Sequence, residues 1–228
     1  MIFILFIATL ALSLWAAARV RSVYNRYNHG QVASGVTGGQ AAALILQKAG
    51  IHDVEITHRD EMLGDHYDPL NKRLVLSSAN FYGGSPAAVG VAAHECGHAI
   101  QHKAAYAPLH LRMAAVGITT YANHVVMWLP LIGLFTGLIQ PFTAATILAV
   151  AWGVIMLFNL VTLPVEFDAS RRAKVILGEM GMVSTGAEAG AVSKVLNAAA
   201  WTYVAAFLTS LIYFLWHLLP LLTGRSRD

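Results

Sequence analysis

The residues best suited to chemistry lie in one short run, His94-Glu95-Cys96-Gly97-His98. This is H-E-x-x-H, the pattern by which a single helix presents ligands to Zn²⁺ for hydrolysis. Side chains four apart on a helix share one face. His94 and His98 can therefore direct two imidazoles at one ion, at about 2.0–2.1 Å each. Glu95 is turned about 100° from His94. It can stand beside the metal and take a proton from attacking water without being a ligand. The flanks agree with a helix. Ser85-Pro86 supplies an N-cap and an N1 proline, so the helix is expected from about Pro86 to Ala104, and the small apolar residues 87–93 suit packing on several sides. A glutamate buried beside two histidines needs a partner or a metal, because unpaired burial is costly. The competing reading is a chance match with two ordinary helix histidines. Cys96 is the single cysteine. It excludes an intrachain disulfide and reads as a packing residue facing away from the histidines.

The rest of the chain must hold this turn in place, and its composition says where. Of 228 residues, 57% are apolar and only 12% charged, with mean hydropathy +0.57. Soluble domains carry about 25% charged residues, so this is an integral membrane protein, of a length suited to one domain over 1–228. Four apolar stretches predict spans at about 1–19, 113–139, 143–163 and 199–222. No basic residue precedes the first, which reads as a retained anchor rather than a cleaved signal. Eight Lys or Arg lie between Arg21 and Arg112 and four between the third and fourth spans, but none between the second and third. The positive-inside rule then puts 20–112 and 164–198 in the cytoplasm. Arg225 and Arg227 fall outside, a mild violation that an incomplete fourth crossing would remove. The polar part reads as a helix over Gly39–Lys48, capped by Thr37 and ended by Gly50, then strands at 54–57 and 73–77 around a turn-rich 65–71. The expected fold is mainly α: four transmembrane helices with a small α+β cytoplasmic portion packed on them. Pro130 is expected to kink the second span. His124 is either a functional intramembrane group or an interfacial one. Gly133–Gly137 and Ala198–Ala200 suit close helix packing. No paired Cys/His spacing, helix-turn-helix cue or basic-aromatic patch is present, so nucleic acid is not implied.

A catalytic zinc takes three protein ligands and a water. His102 lies one turn beyond His98, but eight residues of helix rotate it about 80° from His94. Position 104 is Ala104, so a third histidine six residues after His98 is absent. Glu166 is the better candidate. Two spans separate it from His98, which returns it to the same side of the membrane, and it directly follows a span. Glu166 and Asp168 are the first acidic residues after Glu95 and point to different helix faces, so one of them is expected to bind metal. The alternative is plain ion pairing with Arg171 and Arg172.

Several segments together carry a resemblance: Gly64-Asp65-His66-Tyr67-Asp68-Pro69, Leu74–Ser77, Ala92–His102, Pro164–Ala173 and Val195–Val204. They resemble the "putative neutral zinc metallopeptidase" family of bacterial membrane proteins over nearly the whole chain. More distantly they resemble membrane-embedded gluzincin-like proteases of the quality-control and prenyl-protein-processing type, in which a Glu on a second helix is the third ligand. Four residues later an Asp supports a ligand histidine. The resemblance implies Glu166 as the ligand. The supporting position here is Ser170 rather than Asp, which leaves the support to Ser170 or to Asp168.

The expected chemistry is peptide hydrolysis with one Zn²⁺ and Glu95 as general base and then acid. Candidates for steadying the oxyanion are Arg171, Arg172, His66 and Tyr67. Substrates are expected to be membrane proteins, or proteins and peptides reaching the cytoplasmic face of a bacterial inner membrane. A regulatory membrane partner and a homodimer both stay open. Strand 73–77 is expected either to offer a free edge to an extended substrate or to be half of a hairpin. Two rivals stand beside this reading. One is an intramembrane-cleaving protease, disfavoured by a motif helix too short to span. The other is a scaffold with structural zinc, disfavoured because such sites are Cys-rich and Glu95 would have no task.

Overall fold

A computed structural model describes residues 2–60 and 64–223. The described elements run α1 (Ile2–Tyr27), α2 (Gly38–Lys48), β1 (Glu55–Arg59), β2 (His66–Asp68), β3 (Arg73–Ser77), α3 (Ser78–Tyr82), α4 (Pro86–Lys103), α5 (Ala107–Thr136), α6 (Pro141–Glu179) and α7 (Ala187–Leu222). The chain is mainly helical. It is a multi-pass membrane protein, because α1, α5, α6 and α7 are each long and apolar enough to cross a bilayer.

Local signals set the starts of the short helices. At α2 the Thr37 hydroxyl accepts from Gln40 N, while the Gln40 side chain accepts from Thr37 N, a complete capping box. At α4 the Ser85 hydroxyl accepts from Ala88 N at 3.1 Å, and Pro86 fills the first turn, where an N–H would have no partner.

The long helices exceed the expected spans. At about 1.5 Å per residue, the 39 residues of α6 reach roughly 58 Å. That is about twice the hydrocarbon thickness. Pro164 does not end α6. It removes one N–H from the ladder, and the helix continues through it to Glu179. The apolar stretch 143–163 and the charged segment after it are thus one rod that carries residues 164–179 into the soluble portion. Helix α5 stops earlier than expected. Gly137 adopts φ +64° and caps it, with its N–H on the Gly133 carbonyl. The Gly133–Gly137 pair therefore ends a helix rather than packing two. The nearest atoms to a Cβ at Gly133 belong to Ile139, at 4.0 Å. Ala198 and Ala200 do pack, both buried. Arg225 and Arg227 lie outside the described residues.

The sheet has the order β1-β3-β2, with β1 parallel and β2 antiparallel to β3. Strand β3 is central, so both of its edges are taken and it has no free edge for a substrate strand. The outer edges belong to β1 and the three-residue β2, which arises within the turn-rich segment. Leu74 and Leu76 of β3, Ile45 of α2, Val89 of α4, Leu177 of α6 and Val192 of α7 are buried in one cluster. The α+β portion thus has no separate core. It folds onto α4, and α4 onto the protruding ends of α6 and α7.

Candidate metal centre

Two helices build the site. Helix α4 presents His94 and His98 with ring centroids 4.8 Å apart and nearly perpendicular. Helix α6 presents Glu166. His94 Nε2 lies 3.2 Å and His98 Nε2 3.6 Å from the same oxygen, Glu166 Oε2. These are the described His, Cys, Asp and Glu residues whose ligand atoms converge as a group of three. Glu166 is almost fully buried, at 3% side-chain exposure, while His94 keeps 13% and His98 10%. The two histidines thus keep more exposure than the carboxylate.

The helices can come this close because of Gly97. A Cβ there would meet the Ala169 carbonyl oxygen at 2.6 Å, so α4 and α6 touch backbone to backbone one turn from the ligands. The glycine inside the motif is a packing requirement that the motif pattern itself does not state.

The outer nitrogens of both imidazoles are held. His94 Nδ1 meets Ser170 Oγ at 3.1 Å, and His98 Nδ1 meets Gln101 Oε1 at 3.0 Å. Burial favours the neutral form of His98, and the Glu166 and Glu95 carboxylates more than offset this, so its pKa stands above the usual histidine value. The second carboxylate oxygen, Glu166 Oε1, accepts from Arg112 Nη1 at 2.9 Å. Tyr203 of α7 interacts with Glu166 and lies within electrostatic range of Glu95 and Arg112. Glu95 is buried, at 7% exposure, and no described donor bonds its carboxylate.

Two imidazole nitrogens and one carboxylate oxygen converge from different helices, with their far nitrogens held and a carboxylate base beside them. This is the donor chemistry of a catalytic zinc, and the residues fit the ion.

The other sequence candidates lie elsewhere. His66 is exposed, its Nδ1 on the Gly64 carbonyl at 2.7 Å, and the Tyr67 hydroxyl bonds His102 Nδ1 at 2.9 Å. Neither contacts a ligand side chain. His102 thereby faces Tyr67 and not the histidine pair. Arg171 and Arg172 both pair with Asp168 rather than reaching into the site. His124 donates from Nδ1 to its own helix at Thr120 O, 2.8 Å, on an exposed face. Cys96 is fully buried against α2, near the Ala42 carbonyl. Sequence reasoning gave no site role to Arg112, Gln101 or Tyr203. Gln101 carried a signal, being a polar residue one turn from His98 on an otherwise small apolar helix. Arg112 entered only as a topological charge, and Tyr203 carried no signal.

The family described as putative neutral zinc metallopeptidases matches residues 2–222. The chain is also 41% identical to the "Putative membrane protease YugP" of Bacillus subtilis (strain 168) over 229 residues, covering 100% of both chains. No solved structure matches it.

Proposed function

The chain belongs to the family described as putative neutral zinc metallopeptidases, and from that membership we propose an endopeptidase that cuts membrane or membrane-associated proteins at the cytoplasmic face of a bacterial inner membrane. His94, His98 and Glu166 would hold one Zn²⁺. The observation that carries this reading is the convergence of these three donors beside the buried Glu95. Bound there, Zn²⁺ would polarise the scissile carbonyl and acidify the attacking water. Glu95 takes the proton of that water as the water oxygen bonds to the carbonyl carbon. It then gives the proton to the amine as the C–N bond breaks, so the proton count closes and the base is regenerated. Ser170 and Gln101 hold the imidazoles from outside. Arg112 occupies Oε1 of Glu166 and leaves Oε2 toward the histidines. Tyr203, which interacts with Glu166 and lies within electrostatic range of Glu95, is the donor for the oxyanion, in place of the four candidates that the fold sends elsewhere.

The test is cleavage of a loosely folded protein by the detergent-purified chain, wild type against Glu95→Gln, with zinc measured in both. About one zinc in each and a roughly 10²–10⁴-fold loss of cleavage in the variant are expected. Zinc in both with cleavage by neither would favour a structural ion. Equal cleavage by both would remove Glu95 from the mechanism.

A further inference from the structure

Gln101 is fully buried, and every one of its polar atoms is engaged. Its amide nitrogen donates to Val165 O at 2.8 Å and to Asp168 Oδ2 at 3.0 Å. A backbone carbonyl and a carboxylate can only accept, so the nitrogen must be on that side and the amide orientation follows from its partners. The amide oxygen therefore faces His98 Nδ1, at 3.0 Å. That oxygen can only accept, so Nδ1 carries the hydrogen. Nε2, the nitrogen aimed at Glu166 Oε2, is left to offer its lone pair to a metal.

Behind Gln101 stands Asp168, which Arg171 and Arg172 hold as a carboxylate. Arg172 is itself packed over the Tyr106 ring at 5.9 Å. The two histidines are thus supported differently. Among the described residues His94 Nδ1 meets the Ser170 hydroxyl, which can donate or accept and so does not select a tautomer. His98 has an amide that does, anchored by a carboxylate. In this chain the acidic support stands behind the second motif histidine and reaches it through an amide.

We propose that Gln101 is a positioning residue of the metal centre: it holds His98 with hydrogen on Nδ1 and Nε2 free for the ion, and Asp168 orients it for that task. The inference rests on the metal reading of His94, His98 and Glu166.

The test measures zinc affinity of the purified full chain by chelator competition, together with metal-free thermal unfolding. The proteins are the wild type, Gln101→Met, and the double variant Gln101→Glu with Asp168→Asn. The double variant exchanges carboxylate and amide. The introduced carboxylate accepts from His98 Nδ1, and the introduced amide donates back to that carboxylate. Gln101→Met is expected to weaken zinc binding about 10–100-fold, and the double variant to recover most of that loss. A purely structural Gln101 predicts that the double variant, which forfeits the bond to Val165 O, does no better than Gln101→Met. That result, or wild-type affinity in Gln101→Met, overturns the proposal. Histidine ¹⁵N spectra of zinc-loaded wild type need no variant to fold. A protonated Nδ1 on His98 is expected, and zinc bound through Nδ1 overturns it. A wild type that binds no zinc removes the metal reading itself, a different outcome from zinc binding that ignores Gln101.

Discussion

Substituting Gly97 by Ala separates packing from chemistry, because it adds one methyl and touches no ligand. The new Cβ would lie 2.6 Å from the Ala169 carbonyl oxygen and 3.1 Å from its Cα. Both are backbone atoms of α6, so no side chain can swing aside. Reaching 3.0–3.4 Å requires α4 and α6 to part by about 0.4–0.8 Å. Overpacking of this kind costs about 1–3 kcal/mol, but alanine returns about 1 kcal/mol of helix propensity. The net loss of global stability is therefore about 0–2 kcal/mol. The metal site has no such compensation. Its ligands tolerate about ±0.2 Å, and the displacement falls between the helix that carries both histidines and the helix that carries Glu166. A 1 Å misplacement costs about 10²-fold in rate. Gly97→Ala is expected to weaken zinc binding at least about tenfold and to lower cleavage by up to about 10²-fold, with a metal-free melting temperature lowered by no more than about 8 °C. The assay is zinc retained at fixed free zinc, alongside turnover of a loosely folded substrate. Gly90→Ala is the control. Its Cβ would meet a Val192 side-chain atom at 3.2 Å, on the α7 side of the same helix, where a methyl group can yield. Wild-type zinc affinity in Gly97→Ala would refute the claim that the backbone contact at Ala169 sets the ligand geometry.

Tyr203→Phe should leave zinc content intact and lower kcat about 10²–10³-fold, the cost of losing one oxyanion donor; an unchanged kcat would remove Tyr203 from that role. Ser170→Ala should weaken zinc binding about tenfold by freeing His94 Nδ1, and chelator competition reads it directly. Burial pushes the Tyr67 phenol up to about 12, with the Asp53 and Asp68 carboxylates adding to the shift. Because this exceeds the unfolded value of about 10, the contribution to stability is complete below about pH 10 and is lost as pH rises towards 12. The phenolate absorbance difference between wild type and Tyr67→Phe should have its midpoint near 12, and a midpoint near 10 would contradict the assignment.

What was legible in the sequence was local or periodic. The caps at Thr37 and Ser85, the extent of the motif helix and the four apolar rods all follow from residue types at fixed offsets. Glu166 was legible because counting membrane crossings replaces a structure in deciding which residues share a side. What was not legible depends on how separate elements meet. Arg112 opens no motif, and its bond to Glu166 exists only because α5 lies along α6. Gln101 stood out only as a polar residue one turn from His98, and its task appears once α6 supplies Val165 O and Asp168 as acceptors. Strand β3 alternates as any half-buried strand does, and nothing in that pattern says that β1 will pair on one edge and β2 on the other. Arg171 and Arg172 were attractive as free cations near a ligand, yet Asp168 lies three and four residues away on the same helix and claims both.

The topology also explains why the site can be assembled at all. The motif helix α4 precedes two membrane-length helical segments, α5 leading away from its face and the first part of α6 leading back. The chain therefore returns to the face it left whichever way the protein is inserted, and the meeting of Glu166 with His94 and His98 does not depend on orientation. The arrangement would still fail if α6 ended where its apolar stretch ends. Residue 166 would then sit on a loop, and a carboxylate on a loop could not be held within a few tenths of an ångström of two histidines. The uninterrupted helix through Pro164 prevents this, because the same rod that spans the bilayer carries the ligand. Gly97 fixes the depth at which α4 lies against that rod, and Arg112 from α5 fixes the rotation of its carboxylate. Three of the elements that build the bundle thus each set one coordinate of a single oxygen atom, so a small α+β portion with no core of its own can carry a metal site.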